Sequence, residues 1–264
     1  MKQNFKYYIK DCDITFKYAF GPTEETNKEF HSINEIILFL EGDAELIGEN
    51  IHTKILPGTL IVIPKETYHQ VVIKGDAQNY HRCTLHFPDM PEFVMNSKNS
   101  TGKIFLAEYN SDFIFMFEKL IKISKRPTLN ANVQLRALLS LILCEMFSKY
   151  TDNCNQNTQS ELLLTVIDYI NQNLNRNISV QTIAKDNNIS VSSLAHIFKK
   201  EMNISIYQYI IQKRLILAHR KICDGQLAST VAIECGFNDY SGFYKQYKKA
   251  FNCSPSEKKT KLRF

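Results

Sequence analysis

The chain has 264 residues, 44% of them hydrophobic and 22% charged, with a formal net charge of +5. This suits one large or two modest domains and is too apolar for a wholly disordered chain. No apolar run approaches the roughly 18 residues that a membrane helix needs, and residues 1–13 hold no signal-like apolar segment, so no membrane association and a cytoplasmic location are expected.

From residue 11 to residue 87 the sequence is strand-like. Short β-branched and aromatic runs at 14–20, 35–40, 44–47, 59–63 and 70–73 are separated by turns at Glu41-Gly42-Asp43 and Pro57-Gly58. Many short strands at close spacing predict a β-barrel or sandwich over about 11–90. After Asp112 the apolar period lengthens. Phe113, Phe117, Leu120 and Ile121, then Leu135, Leu138, Leu139, Ile142, Leu143 and Met146, recur at three and four, which predicts two amphipathic helices over 113–150 broken at Arg126-Pro127. Residues 151–160, TDNCNQNTQS, offer nothing to bury and are read as a linker.

Within the strands the order His31, Glu35, Gly42, Pro57-Gly58, Pro64, His69 resembles the cupin jelly roll, and in particular the sensing cupin of AraC-type regulators. Metal-binding cupins carry two histidines one residue apart. Here Ile33 stands two after His31, so one ligand is missing and neither metal nor cofactor is expected. His31, Glu35 and His69 are therefore candidate ligand-binding residues in the mouth of an apolar barrel, which His81 and His86 on the next strand could join. A three-ligand metal site and a purely structural cluster stay open as the other readings of these residues. The seven cysteines (12, 83, 144, 154, 223, 235, 253) contain no C-x-x-C pair, as expected of packing residues in a reducing compartment.

Charge divides the chain. Residues 1–160 hold 17 Lys+Arg and 19 Asp+Glu (net −2), whereas 161–264 hold 15 and 8 (net +7), a pattern that suits a sensor joined to a polyanion-binding module. The basic part also repeats itself. Ile183-Ala184 and Asn188-Ile189 answer Val231-Ala232 and Gly236-Phe237 at an offset of 48. Leu194, Phe198, Lys199, Lys200, Asn203 and Ser205 answer Phe243, Tyr247, Lys248, Lys249, Asn252 and Ser254 at 49. Two copies of helix, tight turn, helix explain this, because Asn188 and Gly236 tolerate positive φ.

In the second helix of each copy the inner stripes are Leu194, Ile197, Phe198 and Phe243, Tyr247, Phe251. The outer faces are Ser192, Ala195, His196, Lys199 and Tyr240, Ser241, Tyr244, Lys245, Lys248. Hydroxyls, an imidazole and cations suit a helix lying in the major groove of double-stranded DNA, and 240–251 contains no acidic residue. Between the copies, 206–223 reads as one long helix, basic at Lys213-Arg214 and Arg220-Lys221, that holds the two units apart and ends at Asp224-Gly225. Two recognition helices on one DNA face would read segments about 10 base pairs apart.

Over about residues 161–260 the chain resembles the DNA-binding domain of the AraC/XylS family. The second-unit pattern appears as Val231-Ala232, Gly236-Phe237, Asp239, Phe243, Lys245, Tyr247-Lys248 and Ser254-Pro255, and the connecting helix carries Tyr209, Arg214-Leu215 and Ala218. His196 stands where the family often has Arg, and Asn203 and Asn252 replace the usual glycine.

The expected architecture is α+β and multidomain: a cupin-like jelly-roll barrel with two dimerisation-type helices over 1–150, a linker over 151–160, and an all-α double helix-turn-helix domain over 161–264. The resemblance implies a homodimeric, effector-responsive transcription regulator, more readily an activator that meets RNA polymerase, with a sugar or metabolite as effector. The alternatives are a metal-dependent cupin enzyme fused to a DNA-binding domain, and a constitutive DNA binder with a structural barrel.

Overall fold

The structure is a computed structural model that describes residues 4–9, 14–21, 33–90, 103–107, 111–150, 160–251 and 253–257. It divides into two compact units, 1–158 and 159–264.

Among the described residues of the first unit there are nine strands: β1 (Phe5–Ile9), β2 (Ile14–Phe20), β3 (Asn34–Glu41), β4 (Ala44–Gly48), β5 (Ile51–Ile55), β6 (Leu60–Ile63), β7 (His69–Ile73), β8 (His81–Phe87) and β9 (Phe105–Ala107). They form an antiparallel six-stranded sheet, β1-β2-β8-β3-β6-β9, and a three-stranded sheet, β5-β4-β7. The expected jelly-roll barrel is seen as two sheets facing each other across an apolar cluster, and among the described residues no ladder joins them into a closed barrel. Gly42 and Gly58 take φ of 122° and 92° in the turns, and Glu66 takes 64° just before β7.

The alternation along β3 explains why its sequence reads as an unbroken apolar run. Ile36 and Leu38 face one side, joining Phe16, Leu60, Val62, Cys83, Leu85 and Phe87; Ile37 and Phe39 face the other, joining Leu46, Ile55, Ile61 and Tyr80 between the sheets. A sheet covered on both faces needs apolar residues at both parities. The outer cover is α1 (Ser111–Lys125) and α2 (Ala131–Tyr150), whose Phe113, Phe117, Leu120, Leu135, Leu139, Ile142, Leu143 and Met146 pack into the first of those clusters. The stripes expected to pair two protomers are thus occupied within one chain. Exposed apolar side chains on these helices are instead Phe115, Val133 and Leu141.

The second unit is helical: α3 (Glu161–Asn173), α4 (Val180–Asp186), α5 (Val191–Met202), α6 (Ile206–Cys223), α7 (Ala228–Glu234) and α8 (Tyr240–Phe251). α4 and α5 are joined by residues 187–190, and α7 and α8 by residues 235–239, one residue longer; Asn188 and Gly236 both have positive φ, 55° and 83°. Helix starts are capped at Ser160, Ser179, Ser190 and Ser205, the last as a reciprocal capping box with Gln208. α6 is the central helix and is buried on more than one face. Ile211, Leu215, Ala218 and Ile222 pack on Val231, Ala232, Phe237, Phe243 and Tyr247, while Tyr209 meets Phe198 edge-on, ring centroids 5.5 Å apart. Among the described cysteines, 83, 235 and 253 are buried and 144 and 223 exposed, all reduced. No helix among the described residues is long and apolar enough to cross a membrane.

Candidate nucleic-acid interface and interior polar cluster

α5 begins where Ser193 N–H donates to Ser190 Oγ at 3.0 Å, which fixes the rotation of its first turn. Leu194, Phe198 and Met202 are buried, and Ser192, Ala195, His196 and Lys199 are exposed on the other side. The helix closes on Asn203 in the left-handed region, φ 59°, where Lys199 Nζ donates to the Asn203 carbonyl at 2.6 Å. Lys199 therefore serves the helix terminus in this state as well as the outer face. Asn252, the equivalent closing residue, lies outside the described residues.

α8 begins where Gly242 N–H donates to Asp239 Oδ1 at 2.7 Å. Phe243 and Tyr247 are buried, Tyr244 is half-buried, and Tyr240, Ser241, Lys245 and Lys248 are exposed. The Tyr240 ring lies 5.9 Å from Phe243 and 6.3 Å from Tyr244. Among the described residues neither Lys245 nor Lys248 has an ion-pair partner. Glu201, at the end of α5, is held away from the outer face: its carboxylate accepts from Ser160 N–H at 3.0 Å and from Ser160 Oγ–H at 2.8 Å.

The basic residues of α6 divide differently from their sequence reading. Lys221 pairs with Glu234, and Arg214 is only 9% exposed, donating to backbone carbonyls. His219 is also buried. Its Nδ1 lies 2.6 Å from the Tyr247 hydroxyl, its Nε2 3.4 Å from Cys223 Sγ, and its ring stacks on Phe251 at 4.4 Å. Burial pushes the His219 imidazole below its ordinary value and the Tyr247 phenol well above its own. The spacing His219…Cys223 (i, i+4) carried the signal for one helix face, but not for Tyr247 closing the group.

In the first unit the polar cluster spans both sheets. Glu35 on β3 sits directly across the ladder from His86 on β8, with Oε1 3.1 Å from His86 Nε2. His69, at the start of β7 in the other sheet, places Nε2 3.2 Å from Glu35 Oε2 and Nδ1 3.2 Å from the Thr67 carbonyl. All three side chains are buried. Of the residues read from sequence, Glu35 and His69 come together and His86 joins them. His81 does not; it stacks on Phe20 at 3.9 Å. His31 lies outside the described residues. The carboxylate lies between two imidazoles, one on each oxygen, and no group of three or more His, Cys, Asp or Glu side chains among the described residues is arranged to hold a metal ion. On the same side of β8, Arg82 donates to the Gly21 carbonyl at 3.1 Å and lies 4.5 Å above the Tyr80 ring. Burial pushes the Tyr80 phenol up to about 12, so it stays a neutral donor.

Known proteins resemble this chain along most of its length. A helix-turn-helix domain family matches residues 183–261. The "Probable transcriptional regulator LumQ" of Photobacterium leiognathi is 31% identical, the match covering 86% of this chain and 89% of that protein. The Msm operon regulatory protein of Streptococcus mutans is 24% identical, with 95% and 90% covered. The transcriptional activator RhaR of Mannheimia succiniciproducens is 23% identical, with 88% and 86% covered.

Proposed function

The chain belongs to the AraC/XylS family of transcriptional regulators, and on that premise we propose that it recognises a DNA sequence through α5 and α8 together and regulates the adjoining genes. The observation that carries this is the equivalence of the two exposed faces, Ser192, Ala195, His196, Lys199 and Tyr240, Ser241, Tyr244, Lys245, Lys248, on helices of the same repeat. Lysines neutralise phosphate, while hydroxyls, the imidazole and Lys245 address base edges. The curated relatives are regulators rather than enzymes, and so is this chain.

Residues 1–150 act as the sensing part, 151–160 as the linker and 161–264 as the DNA-binding part. A small-molecule effector, a sugar or metabolite, is bound within the cupin-like sandwich beside Glu35 and His69, with His31 as a further contact. The cluster supports this because a carboxylate and two imidazoles offer both donors and acceptors to hydroxyl groups. Two protomers pair through the outer faces of α1 and α2, at Phe115, Val133 and Leu141, whose exposure on otherwise amphipathic helices supports an interface. Activation, as the name of one relative has it, makes RNA polymerase the further partner, in the cytoplasm. An effector that changes DNA affinity 5- to 150-fold supplies about 1–3 kcal/mol of coupling.

Genomic binding-site selection with the purified chain at near-physiological salt tests the reading. The expected result is a motif of two blocks about 10 base pairs apart. Salt-sensitive binding with no motif would refute sequence-specific regulation.

A further inference from the structure

The two helix pairs pack on different turns of α6, and contacts outside α6 add to what holds the recognition helices apart. Arg214, in the middle of α6, is buried at 9% exposure among mostly apolar buried positions of that helix. Its Nε donates to the Leu174 carbonyl at 2.9 Å and its Nη2 to the Arg176 carbonyl at 2.6 Å. Both carbonyls lie just beyond the end of α3. A planar fork carrying two fixed donors suits this bidentate arrangement; a lysine ammonium does not.

The second helix pair is keyed to the same point. A Cβ built on Gly236, in the turn between α7 and α8, would come 2.7 Å from Arg214 Nη2 and 2.7 Å from the Leu174 carbonyl oxygen. Gly236 is therefore needed for contact as well as for its φ of 83°. The other end of α3 is tied to the first pair, because the Glu201 carboxylate of α5 accepts both hydrogen bonds from Ser160 at the start of α3. Near its C-terminal end, Asn171 accepts from the Tyr209 hydroxyl at 3.5 Å. α3, with 13 residues, is a strut about 20 Å long, with α5 attached at one end and the α7–α8 turn at the other.

We propose that Arg214 is a positioning residue: its fork joins the end of α3 to the Gly236 turn, and this joint, with α3 as strut, sets the spacing between the two recognition helices. Burial pushes the guanidinium's pKa down, yet an arginine keeps its charge, so the two carbonyl dipoles and not phosphate are its partners. The proposal rests on the reading of α5 and α8 as paired DNA readers.

The test uses the full chain with Arg214→Met and Arg214→Lys. On the two-block site recovered by selection, and on versions with one to three base pairs inserted or removed between the blocks, the wild type should bind with a sharp spacing optimum. Arg214→Met should lose at least tenfold on the intact site, flatten the spacing profile and bind duplexes carrying one block as the wild type does. Arg214→Lys should fall between them. An unchanged spacing profile overturns the proposal. So does a parallel loss on single blocks, or a salt slope lowered by about one, which would make Arg214 a phosphate contact. Gly236→Ala attacks the joint from the other side and should flatten the profile likewise, which keeps the test available should Arg214→Met not fold. Amide exchange without DNA separates this idea from the regulator reading: in Arg214→Met, residues 174–177 and 235–239 should exchange at least tenfold faster while 194–198 keep their protection. Uniform acceleration, or none, overturns the proposal whatever the selection returns.

Discussion

Replacing Glu35 tests how the interior cluster is balanced. His69 faces two acceptors, the Thr67 carbonyl and Glu35 Oε2, and His86 Nε2 faces Glu35 Oε1. Each of these three contacts needs a proton between its two heavy atoms, and two neutral imidazoles with an ionised carboxylate supply two. Glutamine resolves this without charge. Its amide NH2 donates to His69 Nε2 and its oxygen accepts from His86 Nε2–H, while His69 keeps its proton on Nδ1. Glu35→Gln should therefore stay within about 1 kcal/mol of the wild type, because each of the three contacts keeps a donor and an acceptor. Glu35→Ala leaves two imidazoles facing a void across the two sheets and should cost about 3–5 kcal/mol, as breaking a buried pair does. Urea denaturation of the three proteins near pH 7.5, followed by far-ultraviolet circular dichroism, gives the comparison. If glutamine destabilises as much as alanine, the charge itself holds the cluster and the count of donors and acceptors is wrong.

Three further outcomes follow from the second unit. His219 has its pKa depressed by burial, so the unfolded chain takes up a proton that the folded one refuses. Its stabilising contribution is complete above the ordinary value of about 6.5 and is lost as pH falls below it; the urea midpoint should drop toward pH 5, and drop less in His219→Gln. Removing the cap in Ser190→Ala should cost about 1 kcal/mol of stability, measured by thermal melting, because Ser193 N–H loses its acceptor. On the selected site, Lys245→Ala should lose about 1–3 kcal/mol and relax preference at one position, whereas Lys248→Ala should weaken all sequences alike and reduce the salt slope by about one.

The helical half was the more legible because its information is local and periodic. The offsets of 48 and 49 between matched residues are those between α4 and α7 and between α5 and α8, and the extra residue falls in the second turn. Ser190 and Asn203 carry their roles in their own chemistry, one capping and one taking positive φ. The run 206–223 coincides with α6, ending where Asp224 and Gly225 stop it. Identity of charge was less informative than its surroundings. Lys213-Arg214 reads only as a basic point of the long helix, whereas Arg214 lies inside, because its partners are carbonyls 38 and 40 residues away.

In the sheet half, strand positions follow from alternation and turn residues, but pairing does not. Glu35 meets His86 only because β3 and β8 are neighbours in this register, a slip of one residue sending one of them to the opposite face. His69 reaches them from a separate sheet. The apolar stripes of α1 and α2 are plain in the sequence, but periodicity says only that a helix face is buried, not whether a sheet or a second protomer covers it; here it is the sheet. Repeat, capping, turn chemistry and charge distribution were thus determined by the sequence itself, since each depends on residues a few positions apart. Which histidine joins Glu35, which cation turns inward and what covers an apolar face were decided by the tertiary structure, since each depends on the partners that long-range packing supplies.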